Sequence, residues 1–205
     1  MNQPSSDPES PVNRGIAILA WGSLEWSLRE LIVKGRWHAD GPTLKLEFSR
    51  QSHDGRLTIV IDAVSGVPCQ SGWWESGLEV LDAAKANLAN REGTGTVGAI
   101  DLRTGRRDGR DLAAVESIAA WMQERPALKA VIWTDLKPKF GKDGNGEFTP
   151  VNAVDYLETL TGDTRDRALE YLTKAPKSID TPVRRLALER GLIETGKTAD
   201  SAPAG

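Results

Sequence analysis

Residues 15–21 read GIAILAW, an unbroken apolar run too short for a buried helix. With no polar position to offer solvent, such a run reads as a buried strand, so the chain must build a sheet around it. Residues 128–134 (LKAVIWT) read the same way. Thr43–Phe48 (TLKLEF) and Arg56–Asp62 (RLTIVID) predict a pair of strands joined through the turn signal His53-Asp54-Gly55, and Val97–Leu102 a further short one. Helical spacing intervenes twice. Gly77–Ala89 sets Leu78, Leu81, Ala84 and Leu88 on one face, and Asp111 is placed to cap a helix carrying Leu112, Val115, Ile118 and Met122, which Pro126 ends.

Beyond the loop PKFGKDGNGEF the pattern turns wholly helical. Thr149-Pro150 forms an N-cap and first-turn pair ahead of Val151, Val154, Leu157 and Leu160, and Asp163–Lys174 and Thr181–Arg190 predict two more helices. The expected class is therefore α+β. Residues 1–13 and 196–205, rich in Pro, Ser, Asp and Ala, read as disordered tails around a mixed domain (14–148) and a helical extension packed on it (149–195).

Composition removes several classes of function. A net charge of −3 gives no general attraction to nucleic acid or to an anionic membrane. Cys69 is alone, so no internal disulfide forms and a reducing cytoplasm is the expected setting. His38, His53 and that cysteine do not furnish a usual zinc site. The opening MNQPSSDPESPVNR lacks the basic and apolar regions of a signal peptide, and no apolar run approaches the roughly 20 residues of a membrane span.

Four local patterns lose their meaning in context. Gly191–Thr198 matches the P-loop letter for letter, yet a helix precedes it where a strand is required. Gly93-x-Gly95-x-x-Gly98 matches the dinucleotide fingerprint, but it leaves a helix and enters a strand, the reverse of the working order. Asp143-Gly-Asn145-Gly-Glu147 opens like a calcium loop whose twelfth position is Val154 instead of Glu. Arg103, Arg106, Arg107 and Arg110 alternate with Asp101, Asp108 and Asp111, which reads as a solvated hairpin and not a nucleic-acid patch. Of the tryptophans, Trp121 and Trp133 are expected in the core, while Trp73 and Trp74, adjacent in a strand, point to opposite faces.

Two stretches remain. The first strand runs into Trp21-Gly22-Ser23-Leu24, where glycine lets backbone approach a ligand and successive free N–H groups can hold a carboxylate or an oxyanion. Alone, this would be an ordinary turn with Ser23 as a helix cap. The second is Leu88-Ala89-Asn90-Arg91-Glu92-Gly93, which puts a carboxylate at the negative end of a helix, where its pKa is raised towards the range useful to a general base.

Together, in this order and separation, the two stretches resemble the γ-glutamyl cyclotransferase superfamily. Its members run a strand into Tyr-Gly-Ser followed by Asn or Leu, and later end a Leu-rich helix in a catalytic Glu. The resemblance spans roughly residues 15–135 and implies a small mixed β-barrel with flanking helices and a pocket between the motifs. It also implies a reaction. The α-amine of a small γ-glutamyl amine or peptide attacks its own γ-carbonyl, giving 5-oxoproline and a free amine without metal or organic cofactor. Glu92 would be the general acid/base, and Trp21, Gly22, Ser23 and Leu24 would bind substrate. Arg50, at the end of TLKLEFSR, would pair with a substrate carboxylate or form a surface salt bridge. The chain departs from the family in Trp21 for Tyr, in lacking the Gly-Tyr that follows the Glu of the ChaC branch, and in its helical extension. Those departures bear on substrate identity more than on reaction type. They also leave room for a non-catalytic ligand-binding or interaction module on the same fold.

Overall fold

The computed structural model describes residues 15–141 and 146–194. The two expected tails, the calcium-like Asp143–Asn145 segment and the glycine-lysine end of the P-loop match lie outside them. Among these residues nine strands and five helices make the fold α+β. The strands are β1 Gly15–Ala20, β2 Val33–His38, β3 Thr43–Gln51, β4 Leu57–Ile61, β5 Val67–Gln70, β6 Gly72–Ser76, β7 Val97–Asp101, β8 Arg106–Asp108 and β9 Leu128–Thr134. The helices are α1 Leu81–Glu92, α2 Leu112–Gln123, α3 Pro150–Thr159, α4 Gly162–Lys174 and α5 Pro182–Glu189.

The expected closed barrel is not what forms. The strands make a six-stranded sheet, β2-β6-β1-β9-β7-β8, and a separate three-stranded sheet, β4-β3-β5. No ladder joins a strand of one sheet to a strand of the other, so the edges β2 and β8 stay open among the described residues. The closest link is a single bridge from Arg50 on β3 to Lys139, just beyond β9.

The wholly apolar β1 lies inside the larger sheet, antiparallel to β6 and parallel to β9. Because side chains alternate, Ala17, Leu19 and the following Trp21 enter one core cluster while Ile16, Ile18 and Ala20 enter the other. The first cluster lies towards the small sheet, α2 and the three C-terminal helices; the second is closed by α1 and the segment around Leu24 and Leu31. Trp121 and Trp133 are core, as expected, and Trp73 and Trp74 divide between the faces, Trp73 against Trp121 and Trp74 against Trp37.

Four strands were not delimited from sequence: β6 and β8 figured only as the Trp73-Trp74 pair and the charged hairpin, and β2 and β5 not at all. β2 (VKGRWH) is a largely exposed edge strand with no buried alternation. β5 (VPCQ) contains Pro68, which is tolerated because β5 is the edge of the small sheet. Leu112, assigned to the buried face of α2, is 78% exposed, and α1 begins at Leu81, so Leu78 lies outside it.

The helical extension is part of the core and not an appendage. Ala153, Val154, Leu157, Ala168, Leu172 and Val183 are all fully buried in the first cluster. Thr149 and Thr181 cap α3 and α5, each ahead of a proline. Glu47 pins the last helix to β3. Its carboxylate is buried, with Oε1 accepting from the Phe48 amide at 2.7 Å and Oε2 from the Val183 amide at 3.4 Å, at the positive end of α5. Replacing Glu47 by Ala strands the buried Val183 amide, and denaturant unfolding should show a loss of about 1–3 kcal/mol. An unchanged midpoint would mean that the extension docks by apolar packing alone.

Candidate functional site

Residues 21–24 leave β1 in a run of turns, with no helix after them, so Ser23 does not act as a helix cap. The Glu25 amide bonds to the Gly22 carbonyl at 3.0 Å and the Ser27 amide to the Ser23 carbonyl at 2.8 Å, which curls the loop. The amides of Gly22, Ser23 and Leu24 donate to no protein acceptor among the described residues. All three residues line a cleft of about 860 Å³, within the range of a small-molecule site.

Glu92 lines the same cleft. It is the last residue of α1, which closes on Gly93 in the left-handed region (φ 62°), a conformation that glycine adopts without a Cβ penalty. Burial raises the Glu92 pKa above its ordinary 4.5, against the opposing charges of Arg91, Arg29 and Arg56. The sequence reading rested on the helix end for this shift; burial is its leading cause in the folded chain.

What joins the two stretches is Arg91. Its guanidinium is buried and donates from Nη1 to Glu92 Oε1 at 2.8 Å, and from Nη2 to Ser23 Oγ at 3.1 Å and to the Ser27 carbonyl. Ser23 and Arg91 are 68 residues apart in sequence. One side chain thus ties the helix end to the loop and aligns the carboxylate. A charge in Asn-Arg-Glu reads as surface from sequence, and only the fold shows it to be a strut.

Trp21 is buried and lines the cleft, its indole N–H donating to the Ile59 carbonyl at 3.2 Å. Arg50 lines the cleft from β3, and its Nη1 donates to the Lys137 carbonyl at 2.9 Å. The structure therefore gathers all six sequence-selected residues, Trp21, Gly22, Ser23, Leu24, Arg50 and Glu92, around one cavity.

Tyr171 is a component that sequence reasoning missed. It comes from α4 and is buried between Trp26 and Phe48 in edge-on ring contacts, with the Arg56 guanidinium 5.5 Å from its ring centre. Burial, then the Glu92 charge, pushes its phenol up to about 12, so it keeps its proton throughout the neutral range. No motif announces it, although it is one of only two tyrosines in the chain. Thr134, at the end of β9, also lines the cleft, and its buried hydroxyl has no hydrogen-bond partner among the described residues.

Tyr171 explains Gly22. A Cβ there would sit 2.4 Å from Tyr171 Oη, with the next atoms at 3.4 Å (Tyr171 Cζ) and 3.8 Å (Ile59 Cδ1). Gly22→Ala should therefore destabilise by about 1–3 kcal/mol. The same change in a Tyr171→Phe background should cost much less, because only the hydroxyl clashes. Equal costs in the two backgrounds, read from a double-mutant cycle, would show that the contact is not the reason for glycine.

Among the described residues no group of three or more His, Cys, Asp and Glu side chains is placed to hold a metal, and no helix is long and apolar enough to cross a membrane. The dinucleotide-like glycines 93–98 run from α1 into β7, and Gly191 follows α5, so neither pattern has the strand-to-helix context that a phosphate loop needs. Comparison with known protein families, with curated proteins and with solved structures found no match for this chain.

Proposed function

We propose that the chain is a cofactor-independent γ-glutamyl cyclotransferase-like enzyme, releasing 5-oxoproline and a free amine from a small γ-glutamyl compound. The observation that carries the reading is that Glu92, a half-buried carboxylate with a raised pKa, lines the same cleft as residues 22–24, whose amides are unengaged. Ring closure is intramolecular, so the protein's part is to fold the substrate and move protons. Glu92 takes a proton from the α-ammonium. The freed amine attacks the γ-carbonyl carbon, and the oxyanion that forms accepts hydrogen bonds from the loop amides. Glu92 then returns the proton to the departing nitrogen as the C–N bond breaks, and the second proton shed by the ring nitrogen goes to the released amine, leaving a neutral five-membered lactam and an ammonium product.

A second reading, a non-catalytic ligand-binding module, is favoured by one observation: Arg91 holds the Glu92 carboxylate in an ion pair. The two are separated by incubating the protein with a panel of γ-glutamyl compounds, glutathione included, and following 5-oxoproline. Turnover of any member supports the enzyme. Saturable binding of a member with no product supports the module.

A further inference from the structure

A second cavity, of about 200 Å³, shares Trp21 with the cleft. Trp37 of β2, Ala39 and Pro176 add further apolar wall, and Glu25 and Lys177 are the charged residues that line it. Leu24 and Trp26 line the cleft while Glu25 between them does not, so the Glu25 side chain turns from the cleft to the smaller cavity. Lys177, from the segment between α4 and α5, is exposed to solvent and forms no ion pair with Glu25 among the described residues.

Glu25 is half-buried and lacks a counter-charge. Its Oε2 is shut off from solvent with no hydrogen-bond partner, and no ion pair reaches the carboxylate among the described residues. Burial raises its pKa above the ordinary 4.5. A charge withdrawn from water is costly unless it is paired, so what this site lacks is a cation. One carboxylate does not offer the several oxygens that a hard metal ion takes, and among the described residues no group of three or more His, Cys, Asp and Glu side chains is placed to hold a metal. Indole rings, by contrast, are the best side-chain surface for an organic cation. The cavity is smaller than the roughly 300–1,000 Å³ of a drug-sized site, so its occupant is small. We propose that it binds a small organic ammonium ion, with the charge held by Glu25 and the carbon chain lying against the Trp21 and Trp37 indoles. Glu92 and the Gly22–Leu24 amides take no part, so the site stands independently of the reaction proposed for the cleft.

The test titrates the full chain at pH 7 with n-butylammonium chloride, n-butanol and sodium butyrate at matched ionic strength. The ammonium should bind saturably and at least about tenfold more tightly than the alcohol, the lower end of what a hydrogen bond to a charged group contributes. Butyrate should not bind. The indole N–H resonances of Trp21 and Trp37 should move during the titration, and that of Trp133, buried in the core, should stay. Binding should weaken as pH falls through the raised Glu25 pKa, because the protonated carboxyl holds no cation while the alkylammonium keeps its charge. Glu25→Gln removes an unpartnered charge, so it should resist urea at least as well as wild type and lose the preference for ammonium over alcohol. Asp166→Asn, exposed on α4 and outside both cavities, should keep that preference. The ammonium-to-alcohol ratio and its pH dependence are read on wild type, and they decide the matter even if the Gln variant misfolds. Equal binding of ammonium and alcohol, ammonium binding that survives Glu25→Gln or leaves both indoles unmoved, or no binding at all would overturn the proposal.

Discussion

Glu92→Gln is expected to lower the rate of lactam formation by about 10²–10⁴-fold, the usual contribution of a positioned acid–base group. The amide keeps the shape of the side chain and an oxygen able to accept from Arg91 Nη1, so the fold and substrate binding by the loop amides should survive. Stability follows from the sign of the pKa shift. Burial raises the Glu92 pKa above 4.5, so the folded protein holds this proton more tightly than the unfolded chain. The contribution of this group to stability therefore falls as pH rises from about 4.5 through the raised value, and its ionised form is a cost above it. Glutamine carries no such cost. The variant should be as resistant to urea as wild type at pH 7, or more so, with the difference shrinking towards pH 4. The acid limb of the wild-type pH–rate profile should lie above the ordinary 4.5 for the same reason. A Gln variant that turns over at the wild-type rate would remove Glu92 from the mechanism.

Arg91→Met should be the most destabilising single change near the cleft. It leaves the half-buried Glu92 carboxylate without its partner and frees the loop at Ser23 and Ser27. Leaving a hydrogen-bonded polar group without its partner costs about 1–3 kcal/mol, and here the Ser23 and Ser27 bonds are lost as well. A purely structural strut would lower stability and no more. Arg91 is also the foremost charge holding the Glu92 pKa down, so its removal should move the acid limb of the pH–rate profile of the surviving folded fraction to higher pH. Arg91→Met combined with Glu92→Gln should regain part of the lost stability, since no carboxylate is then left unpaired. Unchanged stability and an unmoved pH limb would mean that loop and helix hold their places without Arg91.

How far the sequence disclosed all this depends on what kind of signal each element emits. β1 and β9 were legible because both of their faces are buried, so nearly every position is apolar. β2 and β5 were silent because edge strands carry polar, glycine or proline positions that central strands exclude. The caps Asp111, Thr149 and Thr181 were each read from one residue and its follower, since capping is local chemistry. The closed barrel was an expectation of the resemblance alone and does not form; closure depends on pairing between edges far apart in the chain, which no local pattern reports. The site divides along the same line. The turn after β1 and the carboxylate before Gly93 are short-range features, and the structure brings both to one cleft. Arg91 and Tyr171 act through contacts between distant segments, and their letters resemble those of an ordinary surface or helix core.

The central claim, that this cleft closes a γ-glutamyl group upon itself, is tested most directly by the identity of the product. A γ-glutamyl compound turned over by the wild-type protein should give 5-oxoproline and free amine in equal amounts, with no glutamate, and the Glu92→Gln protein should give neither at a comparable rate. Glutamate as the product would make the reaction hydrolysis by water and contradict the account, as would 5-oxoproline formed equally fast by both proteins.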